Sequence, residues 1–398
     1  MKITIFTLTS ELHDEKAVAA MTSEFLGSLG ISYELKGNDY SDYGEHVLNL
    51  IYVRTGGTEG VFKKLLPSLL EKSDKPFYLL ASGKSNSLAA SMEILSFLKQ
   101  QKLKGEIIHG SAEYIRQRIE LLIRVEEACK KLRGCRLGVI GRPSDWLISS
   151  DADYDAVRKR LGVELVDIDM DELLAIVSSL SMQPSTEVAV RKDVSDALPG
   201  AERIYVALKK LAEHHRLQGF TLRCFDLLGA IKNTGCLALA RLNAEGLVAG
   251  CEGDVPAMLS MMIVRSVLGV SGFQANPSSL NPDNGEIMFA HCTIPLDMVE
   301  RYELDTHFES GIGVGIRGYM KEGDITLFKV SGDLSRHFIA EGKLVGNQSN
   351  PGLCRTQQLI WLDDKSKATY FLNNPIGNHH IVVGGRCGEL LEELLCCI

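Results

Sequence analysis

Arg133-Gly134-Cys135-Arg136-Leu137-Gly138-Val139-Ile140-Gly141 is the stretch on which the fold turns. It holds a short apolar strand, 136–140, closed by a glycine, and it restarts a pattern already completed once upstream. Residues 1–132 alternate apolar runs with helical periodicities. Strands are expected at 3–8, 31–35, 46–52, 77–80 and 105–108, with helices at 16–29, 59–72, 86–100 and 111–132. Such alternation predicts a parallel sheet with helices on both faces. Downstream it resumes, with strands at 136–140, 164–168, 219–225 and 248–251 and helices at 152–161, 170–180, 201–217, 234–244 and 256–268; a polar connection spans 181–195. From about residue 300 the character changes. Segments 311–320, 324–330, 336–344 and 369–372 read as strands between Gly, Asn and Asp turns, and one helix remains at 387–396. The expected fold is therefore two doubly wound α/β domains, 1–132 and 133–298, followed by an antiparallel β-barrel-like domain, 299–398.

The 398-residue length suits two to three domains and can bury roughly three quarters of the unfolded surface without a staple. Lys and Arg number 43 against 51 Asp and Glu, a net charge of −8, with no basic block. That balance argues against nucleic acid or an anionic membrane surface as partner. The longest apolar run, 258–270, is broken by Arg265 and falls short of the roughly 18–20 residues of a membrane span. Ten cysteines are scattered with no C-x-x-C pair, which excludes a zinc ribbon. Since Met1-Lys2 leads into a strand pattern and not a secretory signal, reduced thiols and a cytoplasmic setting are expected.

Two nucleotide-site look-alikes fail on context. Gly313-x-Gly315-x-x-Gly318 meets a turn at 321–324, where a dinucleotide site needs a helix. Ser82-Gly83-Lys84-Ser85 lacks the first glycine of a phosphate loop, because Tyr78 stands there.

The informative region is 250–292. Gly250-Cys251-Glu252-Gly253-Asp254-Val255-Pro256 ends a strand and opens a helix, which puts carboxylates at the mouth of an α/β sheet. Asp254 is placed to cap that helix; Glu252 lies too early for the role. Phe273-Gln274-Ala275-Asn276-Pro277 and Met288-Phe289-Ala290-His291-Cys292-Thr293 read as strand ends that put polar groups in the same mouth. Alone, His291 would be a hydrogen-bonded core histidine. Near the C-terminus, Asn378-His379-His380 places two histidines on opposite faces of an extended segment, so at most one reaches a given metal ion. An imidazole with carboxylate oxygens suits Mn²⁺ or a similar cation. His214-His215, at a helix end, reads as a solvated face.

Together, Cys251-Glu252-Gly253-Asp254, Asn276-Pro277, His291-Cys292-Thr293 and Gly377-Asn378-His379-His380 resemble the L-fucose isomerase/L-arabinose isomerase family, specifically its shorter fucose-isomerase-like members. Thr55-Gly56-Gly57-Thr58 and Leu137-Gly138-Val139-Ile140-Gly141 extend the resemblance over the whole chain. It implies aldose–ketose isomerisation of a small sugar through an ene-diol, with Mn²⁺ or another divalent cation, in a trimer or hexamer with shared sites. By motif, Glu252 would be metal ligand and proton-transfer group, and His380 a metal ligand. His291, His379 and Asn378 would meet the substrate.

One departure matters. The family's second acidic ligand aligns with Asn276, whose amide can ligate but carries no charge and accepts no proton at neutral pH. Asp254 and Asp283 are the candidates to replace that carboxylate. Two functions follow: an isomerase with an altered metal site, in which Asn276 stands as catalytic residue and ligand, or a non-catalytic sugar-binding or regulatory protein on the same fold.

Overall fold

The computed structural model describes residues 2–11 and 13–398; Met1, with which the sequence reading began, lies outside them. Packing divides the chain into two compact units. One runs to Glu127 and includes Glu393–Cys397; the other is Ala128–Glu392.

The first unit is a five-stranded sheet of β1 (Ile3–Leu8), β2 (Glu34–Gly37), β3 (Leu48–Val53), β4 (Phe77–Ala81) and β5 (Gly105–Ile108), in the order β2-β1-β3-β4-β5. All neighbours run parallel. β1, β3 and β4 are buried along their whole length, as strands covered on both faces must be. Phe6, Leu8, Ile51, Val53 and Leu79 pack into one core, while Ile3, Ile5, Leu50, Tyr52 and Leu80 pack into another. The alternation is the pleat dividing the two helix layers.

The second unit begins with β6 (Arg136–Ile140), β7 (Glu164–Ile168), β8 (Gly219–Leu222) and β9 (Val248–Cys251), a parallel sheet in the order β7-β6-β8-β9. A closed barrel follows. Its strands are β10 (Phe273–Asn281), β11 (Glu286–His291), β14 (Gly323–Val330), β15 (His337–Asn347), β16 (Thr356–Leu362) and β17 (His380–Gly384), in the order β10-β11-β16-β15-β14-β17. A separate ribbon pairs β12 (Arg301–Asp305) with β13 (Gly315–Tyr319). Phe273, Ala275, Ile287, Phe289, Leu327 and Val382 share the core of this region.

The mixed α/β architecture with a C-terminal antiparallel barrel agrees with the sequence reading, and several details do not. β10 and β11 precede residue 299 yet belong to the barrel, because Phe273 pairs with Val382 and His291 with Thr356. Segment 369–372, expected as a strand, is the end of a 3-10 turn and a short helix. β16 was not anticipated. The strand expected to reach 225 stops at Leu222, and Phe225–Ile231 is helical. The two look-alikes hold no nucleotide geometry: Gly315–Tyr319 is followed by another strand, and Lys84 pairs with Glu24. Among the described residues no helix is long and apolar enough to cross a membrane. Cys135, Cys224, Cys236, Cys251, Cys292 and Cys354 are free thiols.

Candidate active site

The site is built at the turn that follows β9. Cys251 is tied to the barrel by Gln274, whose side-chain amide bonds the Cys251 backbone twice: Cys251 N–H donates to Oε1 at 2.8 Å, and Nε2 donates to Cys251 O at 3.1 Å. The next residue, Glu252, has φ +62°, a left-handed conformation that a side chain rarely adopts. Gly253, at φ +72°, passes so close to the loop after β6 that an added Cβ would collide with the Arg142 carbonyl. Ser144 N–H closes the crossing by donating to Glu252 O at 3.0 Å. Asp254 then caps helix Val255–Leu268, accepting from Ala257 N–H at 2.8 Å, as its position suggested.

This backbone aims the Glu252 carboxylate inward. Oε2 accepts from the indole N–H of Trp146 at 2.8 Å. Oε1 lies 3.5 Å from His291 Nε2 and 3.6 Å from His379 Nε2, too far for good hydrogen bonds. Both imidazoles are buried, and each has its other nitrogen engaged. His291 Nδ1 lies 2.9 Å from Thr293 Oγ1, and His379 Nδ1 donates to Asp254 Oδ2 at 2.9 Å. Asp254 is completely buried and faces the ammonium of Lys329, also completely buried, at 3.4 Å.

Electrostatics follow from this packing. Burial works against charge on Glu252, but His291 and His379 beside it hold its carboxyl far below the usual range. Burial likewise opposes ionisation of Asp254, yet the Lys329 charge and the His379 hydrogen bond bring it to about 2. His379 resists charging by burial, and its two carboxylate neighbours raise it to about 9.

The histidine beside Glu252 is His379, not His380. Neighbours on an extended segment project oppositely, and His380 lies among Phe289, Phe338, Tyr370 and Phe371, with Nε2 3.0 Å from the Tyr370 hydroxyl. Burial there lowers its pKa to about 3. Asn276 and Asn378 meet each other, Asn378 Nδ2 donating to Asn276 Oδ1 at 3.1 Å. Asp283 is exposed in the β10–β11 turn, so of the two replacement carboxylates only Asp254 is at the site, behind His379 and not beside Glu252. Arg355 lines a cavity of about 770 Å³ with Arg191 and Arg317, all facing Asp305. His214 and His215 lie at the surface, with His215 bonded to Glu172 at 2.8 Å.

Sequence reasoning missed Lys329 and Gln274. The lysine within the apolar run Ile325-Thr326-Leu327-Phe328-Lys329-Val330 was a signal, since a charge inside a buried strand needs a partner. Gln274 reads only as part of the 273–277 strand end, and nothing in sequence marks its two bonds to the Cys251 backbone.

The donor set suits a divalent cation. Glu252, His291 and His379 each present a ligand atom within 4.8 Å of the others, and the buried His379 Nε2 has no hydrogen-bond partner. Ligand atoms bound at roughly 2.1 Å stand roughly 3–3.5 Å apart, close to the spacings around Oε1. Asp254 and Thr293 behind the imidazoles supply the outer shell such sites use.

No protein-family model matches the chain. It is 23% identical over 261 residues to sulfoquinovose isomerase of Alkalicoccus urumqiensis, covering 62% of this chain and 59% of that protein. It is 21% identical over 262 residues to sulfoquinovose isomerase of Priestia aryabhattai, with the same coverage, and 25% identical over 192 residues to that of Clostridium sp. (strain MSTE9), covering 45% and 42%. These relatives are sugar isomerases. The chain spans about three fifths of the length of the first two curated relatives it matches.

Proposed function

We propose that this protein is an aldose–ketose isomerase that moves a proton between carbons 1 and 2 of a small sugar through an ene-diol. One observation carries this: two buried imidazoles converge on Oε1 of a single carboxylate, each fixed from behind. Glu252, His291 and His379 would hold Mn²⁺ or another divalent cation, which when bound would polarise the sugar's carbonyl and acidify the neighbouring C–H. Glu252 is ionised throughout the neutral range, the form that can take a proton from one carbon and return it to the other. The Trp146 N–H fixes that carboxylate in one orientation, and Asp254 fixes His379.

The motif resemblance to the L-fucose/L-arabinose isomerase family supports the same chemistry and a trimeric or hexameric assembly. The free thiols of Cys135, Cys224, Cys236, Cys251, Cys292 and Cys354 support a reducing, cytoplasmic setting. The likeness to sulfoquinovose isomerases makes a sulfonated hexose the first substrate to try.

The test is NMR detection of solvent deuterium entering carbon 1 or 2 of a sugar panel containing sulfoquinovose, with Mn²⁺ and with chelator. Metal-dependent exchange is expected. Binding of a sugar without exchange would favour the non-catalytic reading.

A further inference from the structure

We propose that Trp146 is the platform on which the substrate lies: its exposed ring receives the apolar C–H face of a sugar while its N–H holds the carboxylate that works on that sugar. The inference rests on the isomerase reading and names the part of the site that grips the carbon chain.

Trp146 is 51% exposed although it stands directly on Glu252, whose side chain is 12% exposed. A large aromatic surface left to water beside a buried carboxylate is costly, and the cost is recovered when a ligand covers it. The ring does not stand alone. Phe225 meets it edge-on at 4.8 Å between centroids, and His307 meets Phe225 edge-on at 5.5 Å. Burial lowers His307 to about 4, so this wall carries no charge at neutral pH.

The loop bearing the ring is pinned. Arg223 donates to Pro143 O at 2.9 Å and takes both oxygens of Asp145, at 3.1 and 2.8 Å. Ser144 is bonded to Glu252 O. A fixed aromatic face recognises a pyranose without ordering cost, because sugar C–H groups pack on it while hydroxyls stay free for polar partners. The only other tryptophan, Trp361, is 52% exposed and also donates to a glutamate, Glu286 at 3.0 Å, but it lies on β16, and among the described residues that carboxylate belongs to no group of three His, Cys, Asp or Glu ligand atoms. It serves as an internal control.

The experiment exploits there being only two tryptophans. In a Trp361→Phe background, emission of Trp146 is followed while sulfoquinovose, D-glucose, L-fucose or L-arabinose is added, with methanesulfonate as an anion lacking a ring. Binding is measured in parallel by calorimetry. The expectation is that any sugar that binds shifts Trp146 emission and methanesulfonate does not. Trp146→Leu should weaken the binding about tenfold, whereas Trp146→Phe, which keeps a ring but loses the N–H, should retain most affinity and lose turnover. Calorimetric binding without any change in Trp146 emission, or unaltered affinity in Trp146→Leu, overturns the platform and leaves the isomerase reading standing. Emission changes without isotope exchange overturn the isomerase and keep the platform. If no sugar in the panel binds, both fall.

Discussion

Asp254 Oδ2 accepts a hydrogen bond from Nδ1 of His379 at 2.9 Å, joining a helix cap to the residue just before β17 across 125 positions of chain. With Lys329 on its other side, this carboxylate links helix capping, barrel and active-site imidazole.

Asp254→Asn keeps the cap, since Asn serves there almost as well. It leaves Lys329 charged, buried and unpaired. A loss of about 3 kcal/mol in urea denaturation is expected. Because Lys329→Met takes from the buried carboxylate its ammonium partner and leaves it only the His379 and Ala257 hydrogen bonds, the double variant should be more stable than the sum of the two single losses predicts. Strict additivity would show that the two charges do not interact.

The two adjacent histidines should separate cleanly. His379→Ala is expected to weaken Mn²⁺ binding by at least about tenfold, read by electron paramagnetic resonance of free Mn²⁺. His380→Ala should leave that affinity within about threefold. It opens a hole among aromatic rings, so stability should fall by about 2 kcal/mol. The opposite pattern would return His380 to the metal.

Asn276→Asp should change Mn²⁺ affinity by less than about twofold, because the oxygen at 276 is already engaged as the acceptor for Asn378 Nδ2. A gain of about tenfold in a calorimetric titration would place Asn276 in the coordination shell.

His307 gives a pH signature. Burial lowers its pKa to about 4, while in the unfolded chain it takes up a proton near pH 6.5. Its contribution is therefore complete above pH 6.5 and is lost as pH falls through 4, by up to about 3 kcal/mol. His307→Gln should flatten the stability profile between those values, and an unchanged slope would remove His307 as its source.

Glu252→Gln should abolish deuterium exchange while the far-ultraviolet circular dichroism of the folded chain is kept, since shape is kept and only charge is lost. Turnover at the wild-type rate would take Glu252 out of the chemistry.

Much of this was legible because the signals are local. Full burial makes β3 and β4 continuous apolar runs, and a strand ending in Glu252 before a helix puts that residue at a sheet mouth. The barrel was harder. Phe273 and Val382 are paired across more than a hundred positions, and periodicity cannot name a partner so distant. The same limit governs the histidines: alternation says that His379 and His380 face apart, but which one meets Glu252 depends on how β17 sits between β10 and β14. Gln274 is invisible for a different reason. Its two bonds go to backbone atoms of Cys251, so no side-chain pattern records them.

The left-handed backbone at Glu252 makes that position a record of use. Glycine would take the same φ freely, whereas glutamate pays about 1 kcal/mol or more to hold it. A lineage that no longer needed the carboxylate would gain stability by drifting to glycine, and one that keeps glutamate there does so against its own folding energy.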